Sequence, residues 1–172
     1  MIFTALGPIT AYRLLTPMWA TMPTSGNGAA VHGGRANRAG LPALYLALET
    51  DTAIAEYQQL SSLMPPATLV NYTVTIDPVV DFRGGFDPAN WDGLWEDFSC
   101  DWRKLWFSDK IQPPSWVLGD EVVAAGAKGL LFPSTRRPGG TNLVLYNDNL
   151  GPGDVVAYDP AGALPKNQAS WP

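Results

Sequence analysis

Glycine and proline interrupt this chain too often for long regular elements to form. Together the 17 glycines and 16 prolines make up roughly a fifth of the residues, against about 12% in an average protein. Glycine carries a large entropic cost inside an element, and proline removes a backbone donor. The expected architecture is therefore short strands and short helices joined by turns. Charged residues supply only 16% of the chain and apolar residues 46%. That is enough to bury a core and too apolar for a disordered chain. At 172 residues the chain is expected to form one domain, 1–172, around one core.

The apolar pattern places the elements. Thr10 to Leu15 reads as a first strand carrying Arg13, closed by Pro17. Residues 23–40 read as a long glycine-rich loop. Leu41 to Leu48 is a strand. Thr50 or Thr52 is placed to cap a helix from Ala53 to Leu63, stopped by Pro65 and Pro66. Leu69, Tyr72, Val74 and Ile76 mark a strand, and Leu130 to Pro133, Leu143 to Tyr146 and Asp154 to Tyr158 mark three more. Strands with interspersed short helices point to an α+β or mixed α/β fold, with α+β the expectation.

Residues 90–107 stand apart. At about 100° per residue, Trp91, Trp95, Trp102 and Trp106 fall in a wedge of about 60°, with Asp92, Glu96, Arg103 and Lys104 pointing the other way. The spacing predicts one amphipathic helix with an aromatic face, and Gly93 weakens it locally. Such a face either packs on the sheet or docks a partner, since tryptophan is frequent in binding hot spots.

Charge and residue counts exclude several functions. A net charge of −5 and a pI near 4.6 are opposite to what a phosphate-backbone surface needs. One cysteine, Cys100, and one histidine, His32, exclude an internal disulfide, a cysteine-built zinc site and any site needing two imidazoles. No run is long and apolar enough for a bilayer, and Met1 to Leu15 lacks the basic segment of a signal peptide. A cytoplasmic location is the expectation. Walker, HExxH, CxxC and GxSxG patterns are absent, and no GxGxxG sits between a strand and a helix.

What remains is a set of polar residues in apolar or glycine-rich surroundings: Arg35 in GGRANRAG, Tyr45 in LPALYLAL, Glu56 in DTAIAEY and Ser134 in LLFPSTRRPGGTN. Taken singly, each also fits an ordinary loop, core, helix-surface or turn position.

Their order is what distinguishes them. Gly33 to Asn37, Gly40 to Tyr45 and Ala53 to Glu56 form one block. Trp116, the Gly119–Asp120 pair, Phe132 to Thr135 and Asn142 form a second, and Tyr12–Arg13 precede both. Over residues 10–146 this pattern resembles the RES-domain family, named for its Arg, Glu and Ser. Ala36 stands where the family usually has an aromatic, which predicts a more open pocket wall. The Trp-rich segment is not a hallmark of the family.

The resemblance implies an ADP-ribosyltransferase-like fold with NAD⁺ as substrate in a cleft, no metal, and cleavage of the nicotinamide–ribose bond. It implies Glu56, Arg35 and Ser134 as catalytic residues, and Arg13, Arg35, Tyr45, Ser134 and Asn142 as nucleotide-binding residues. Departure of nicotinamide leaves an oxocarbenium-like ribosyl cation, which a carboxylate such as Glu56 stabilises. Arg35 offers a planar charged fork for pyrophosphate or a carboxylate, in a loop whose N–H groups are candidates for an anion nest. Tyr45 can stack on nicotinamide. Ser134 suits a positioning donor better than a nucleophile, having no base near it in sequence.

The family's members are mostly toxins of toxin–antitoxin pairs, so an Xre-like antitoxin partner is implied, while the motifs leave the ADP-ribose acceptor open between a host protein and phosphate or water. The Trp face, Ala36 and the Arg136–Arg137 pair favour a protein acceptor over destruction of NAD⁺ by transfer to phosphate or water. A non-catalytic binding module is the reading from another class.

Overall fold

The computed structural model describes residues 1–59, 61 and 63–168. In chain order the elements are β1 (Phe3–Leu15), α1 (Asn27–His32), β2 (Ala43–Ala47), α2 (Thr50–Gln58), β3 (Thr68–Asp81), α3 (Pro114–Ala124), β4 (Gly129–Pro133), β5 (Thr141–Tyr146) and β6 (Val155–Ala157). β1 and β3 pair antiparallel from Phe3 opposite Val80 to Leu15 opposite Thr68. β1 meets β2 at Tyr12 and Ala47, β2 pairs with β5, β5 with β4, and β4 returns parallel to β3 at Val79 and Gly129. The ring β1-β2-β5-β4-β3 closes into a small barrel, and β6 adds to β3. Closure leaves few open edges. The expected mixture of strands and short helices is present, with the barrel as its centre.

The barrel interior is apolar: Ala11, Leu44, Leu46, Tyr72, Val74, Leu131, Leu143 and Leu145 pack in one buried cluster. In β3, Val70, Tyr72, Val74 and Ile76 point inward and Asn71, Thr73 and Thr75 outward. Leu69 is out of phase with that set and 47% exposed. β1 runs far upstream of Thr10 because its partner β3 is 14 residues long. β2, β4 and β5 are buried on both faces. That is why they appear in sequence as continuous apolar runs rather than alternations.

The outer face of these three strands carries a second core. Val144, Tyr146, Leu130 and Phe132 lie under Leu118 and Val122 of α3 and under Trp91, Trp95 and Phe98. α3 was not expected from the sequence, although Pro114 at its first turn is a standard helix start. Gly119 lies where α3 crosses the Arg35 loop; a Cβ there would meet the Ala36 carbonyl. Ala36 itself is fully buried in this core, so it does not open a pocket wall.

Three other expectations are corrected. Residues 23–40 are not one loop, because α1 and a Gly34–Asn37 bridge lie within them. α2 begins at Thr50 with Glu49, not Thr50 or Thr52, in the N-cap position. It ends before Gln59, whose φ of 54° is left-handed, well short of Leu63 and the prolines; Leu60 and Ser62 lie outside the described residues.

The single Trp-rich helix is the third. Gly93–Ser99 is a 3-10 helix capped by Asp92, whose side chain accepts from the Leu94 N–H. Cys100 is extended at φ −52° and ψ 157°, and a separate π-helical turn follows at Lys104–Asp109. Each half has its own aromatic partner. Trp91 and Trp95 pack on Phe82, with ring centroids 4.8 and 4.9 Å away, whereas Trp102 and Trp106 pack on Trp116. Trp91, Trp95 and Trp102 are buried and Trp106 is 37% exposed. Among the described residues no helix is long and apolar enough to cross a membrane.

Candidate active site

A cleft of about 510 Å³ opens beside β2 and α2, bounded by the Gly33–Arg35 turn and by Trp102 and Arg103. Arg13, Arg35, Tyr45, Glu56 and Asn142, far apart in sequence, all border it. The fold therefore brings five of the six candidate residues to one place. Ser134, the sixth, is buried just behind it.

Glu56 lies in the second half of α2, whose start is locked to β5. The Glu49 carboxylate accepts from the Thr52 hydroxyl at 2.7 Å and from the Thr141 N–H at 2.9 Å. From there the helix carries Glu56 over the end of β5. Its Oε1 accepts from the Ser134 hydroxyl at 2.7 Å and from Asn142 Nδ2 at 2.6 Å. Oε2 takes no hydrogen bond among the described residues, so one carboxylate oxygen is fixed and the other is available to the cleft.

Ser134 acts through Glu56. Its proton goes to the carboxylate, while its oxygen accepts from the N–H groups of Arg136 and Arg137 at 3.1 and 3.0 Å. These three hydrogen bonds fix the hydroxyl between the carboxylate and the turn, which fits the positioning donor expected from the sequence. Asn142 donates to the same carboxylate from β5. Both residues are the positioning apparatus of one carboxylate.

Arg35 stands across the cleft. Its Nη1 donates to the carbonyls of Cys100 and Phe98 at 3.0 and 3.4 Å. In a continuous helix those carbonyls would bond to the N–H groups four residues on. The break at Cys100 ends that ladder: the Cys100 carbonyl accepts from the Trp102 N–H at 2.9 Å and from Arg35 as well, so the irregular backbone of the Trp-rich segment presents both carbonyls to Arg35. Burial lowers the guanidinium pKa, and Arg103 lowers it further, while Cys100, Glu56 and Tyr45 act in the opposite direction. The group remains a cation at neutral pH.

Tyr45 has its ring on the cleft and its hydroxyl in the loop. The hydroxyl donates to Asn37 Oδ1 at 2.7 Å and accepts from the Ala36 N–H at 2.9 Å. Burial pushes its pKa far above the ordinary tyrosine value, so it stays a donor. The hydroxyl is thus spent on shaping the Arg35 turn. Tyr45, not a ligand, occupies the space a Cβ at Gly34 would need; at Gly33 the obstacle is Trp116, and φ there is 79°. The N–H groups of Gly33, Gly34 and Ala36 are all engaged within the protein, so this loop is not a nest of free donors.

Arg13 borders the cleft but follows the parity of Ala11 and Leu15, the inward face of β1. Its Nη1 donates to the Ser25 carbonyl at 3.4 Å, and burial lowers its pKa, with Tyr72 opposing. Tyr72, pushed up to about 12 by burial, donates to the Pro23 carbonyl at 2.7 Å. Arg13 therefore ties the start of the loop to the barrel end.

Residues not singled out from the sequence also build the site. Asn37 is fully buried, and its amide reaches the carbonyls of Ala29, Arg38 and Leu41. Trp116 donates its indole N–H to the Gly34 carbonyl at 2.7 Å. Both sit in the motif blocks, where an asparagine among glycines was the available signal. Glu49 is the third, and nothing in its local sequence distinguished it from Asp51.

A RES domain model matches residues 10–167, and the chain belongs to the RES-domain family. The fold agrees with a solved structure of a chain in the M. tuberculosis MbcT–MbcA toxin–antitoxin complex. The match has a TM-score of 0.65 and 21% identity, covering 91% of this chain and 85% of that one. No curated protein matches the chain.

Proposed function

We propose that this chain is the toxin of a toxin–antitoxin pair and cleaves NAD⁺ at the nicotinamide–ribose bond in the Glu56 cleft. The observation that carries the reading is the clamped Glu56 carboxylate, fixed through Oε1 with Oε2 free, opposite the half-buried Arg35. As nicotinamide leaves, positive charge develops on the ribose, and a preorganised carboxylate stabilises it without reorganising. Arg35, held by two carbonyls, keeps further donors for a pyrophosphate oxygen. The Tyr45 ring supplies a flat wall for nicotinamide. Family membership and the toxin–antitoxin relative support an antitoxin partner, for which an Xre-like DNA-binding protein would supply the basic surface this acidic chain lacks.

For the acceptor of ADP-ribose, the structure favours water or phosphate over a protein. Three of the four tryptophans that would dock a protein are buried, Ala36 is in the core, and Arg137 pairs with Asp51 at 3.1 Å. Incubating the purified protein with labelled NAD⁺, with and without phosphate and bacterial lysate, tests both levels. Nicotinamide release without labelled protein is the expected result. A discrete labelled protein would restore the transferase reading, and no release by the wild-type protein would overturn NAD⁺ cleavage and leave a binding module.

Arg35→Lys is expected to lower kcat/KM on the order of 10- to 100-fold, since an ammonium cannot hold both carbonyls and still present a fork to phosphate. Steady-state kinetics with NAD⁺ read this directly. Full activity in the lysine variant would reduce the role of Arg35 to charge alone.

A further inference from the structure

The Trp-rich segment does more than fill the core. Its two carbonyls hold Arg35, and its next side chain, Arg103, enters the same cleft. Arg103 stacks on the Trp102 ring with its guanidinium carbon 4.4 Å from the centroid. Trp102 is itself buried and packed on Trp116, at 6.2 Å between centroids. The cation thus rests on a rigid aromatic platform, which limits the conformational freedom an exposed arginine usually has. Among the described residues it has no carboxylate partner, unlike Arg38, Arg83 and Arg137. It lies close enough to Arg35 and Tyr45 to act on the charge of both.

Two unpaired like charges held near each other raise each other's energy unless an anion comes between them. Four arginines border this cleft against one glutamate, in a chain whose net charge is −5. Positive charge is concentrated where the rest of the surface is acidic.

We infer that Arg103, braced on Trp102, is a second substrate-binding cation that joins Arg35 in gripping the phosphates of the nucleotide. The inference rests on the cleft being a nucleotide site, and it concerns affinity rather than bond cleavage. Arg103 is a binding residue in this scheme, and Glu56 remains the group that faces the reacting ribose.

The test separates this inference from the proposed reaction by using ligands that do not react. ADP and adenosine are titrated by calorimetry into wild type, Arg103→Gln and Lys104→Gln. Lys104 is the adjacent exposed residue outside the cleft, so its variant removes the same charge from the same segment. The expected result is an ADP Kd raised on the order of tenfold in Arg103→Gln, the loss of about one charge-assisted contact. Adenosine binding should be unchanged, and Lys104→Gln should bind both ligands as wild type does. Melting curves for all three proteins confirm folding; Arg103 is exposed, and no loss is expected. NAD⁺ kinetics give the second readout, with KM raised and kcat preserved.

Unchanged ADP affinity in folded Arg103→Gln overturns the inference, as does an equal loss in Lys104→Gln, which would make the effect one of net charge. Failure of the wild type to bind ADP overturns it too. If ADP binds through Arg103 while NAD⁺ is not cleaved, the inference stands and the proposed reaction falls.

Discussion

Glu56→Gln is expected to reduce nicotinamide release on the order of 10²- to 10³-fold, the range for removing one preorganised charge-stabilising group from a transition state. The substitution is nearly isosteric. The amide oxygen can still accept from Ser134 and Asn142, which donate at 2.7 and 2.6 Å in the native protein, so the clamp and the helix position survive. What disappears is the negative charge that the proposed reaction requires beside the ribose. Thermal melting should therefore match wild type while the rate collapses. Activity within about threefold of wild type, a barrier change under about 1 kcal/mol, would remove Glu56 from the mechanism and return the helix to a structural role.

The second large effect is on stability and reaches the site through packing. Trp95→Ala should destabilise the protein by roughly 3–5 kcal/mol. Trp95 is 2% exposed, touches Phe82 and Trp91, and stacks on Phe98 with centroids 5.9 Å apart. For a chain of this size that corresponds to a fall in melting temperature of about 10 °C. Phe98 supplies one of the carbonyls that hold Arg35, so activity should fall as well, at temperatures where the variant is still folded. Trp106→Ala, at a position 37% exposed, should cost much less, about 1 kcal/mol. Melting curves for the two variants, taken beside the nicotinamide assay, distinguish an aromatic core from a docking surface. Equal, small shifts at both positions would contradict the burial of Trp95.

The aromatic segment shows where periodicity misleads. A stripe of four tryptophans is what one helix would show. It is also what two shorter pieces show when each carries two tryptophans to a different partner. Helical spacing is a local property. Phe82 and Trp116, which divide the stripe, lie outside the segment. The break at Cys100 matters to the cleft, because it turns the Phe98 and Cys100 carbonyls toward Arg35.

Glycine and proline content determined that the elements would be short, and the apolar runs located β2, β4 and β5 to within a residue or two. The order of Arg35, Tyr45, Glu56, Ser134 and Asn142 was legible because those side-chain types recur in a family with fixed spacing. Which of them face the cleft and which hold their neighbours was not. Ser134 and Tyr45 read as residues that could touch a ligand, yet both spend their hydroxyls on other protein groups, one on Glu56 and the other on the Arg35 turn. Hydrogen bonds between residues 78 and 86 positions apart, as in the Glu56 clamp, leave no trace in local pattern. Barrel closure, which seats α2 on β1 and β2 and brings the ends of β4 and β5 beside it, is what creates them. Chemistry was written in the choice of side chains, while the tertiary structure decided which of them face the cleft and which hold the others still, because a hydrogen-bonding group can serve only the partners that the folded backbone brings within about 3 Å of it.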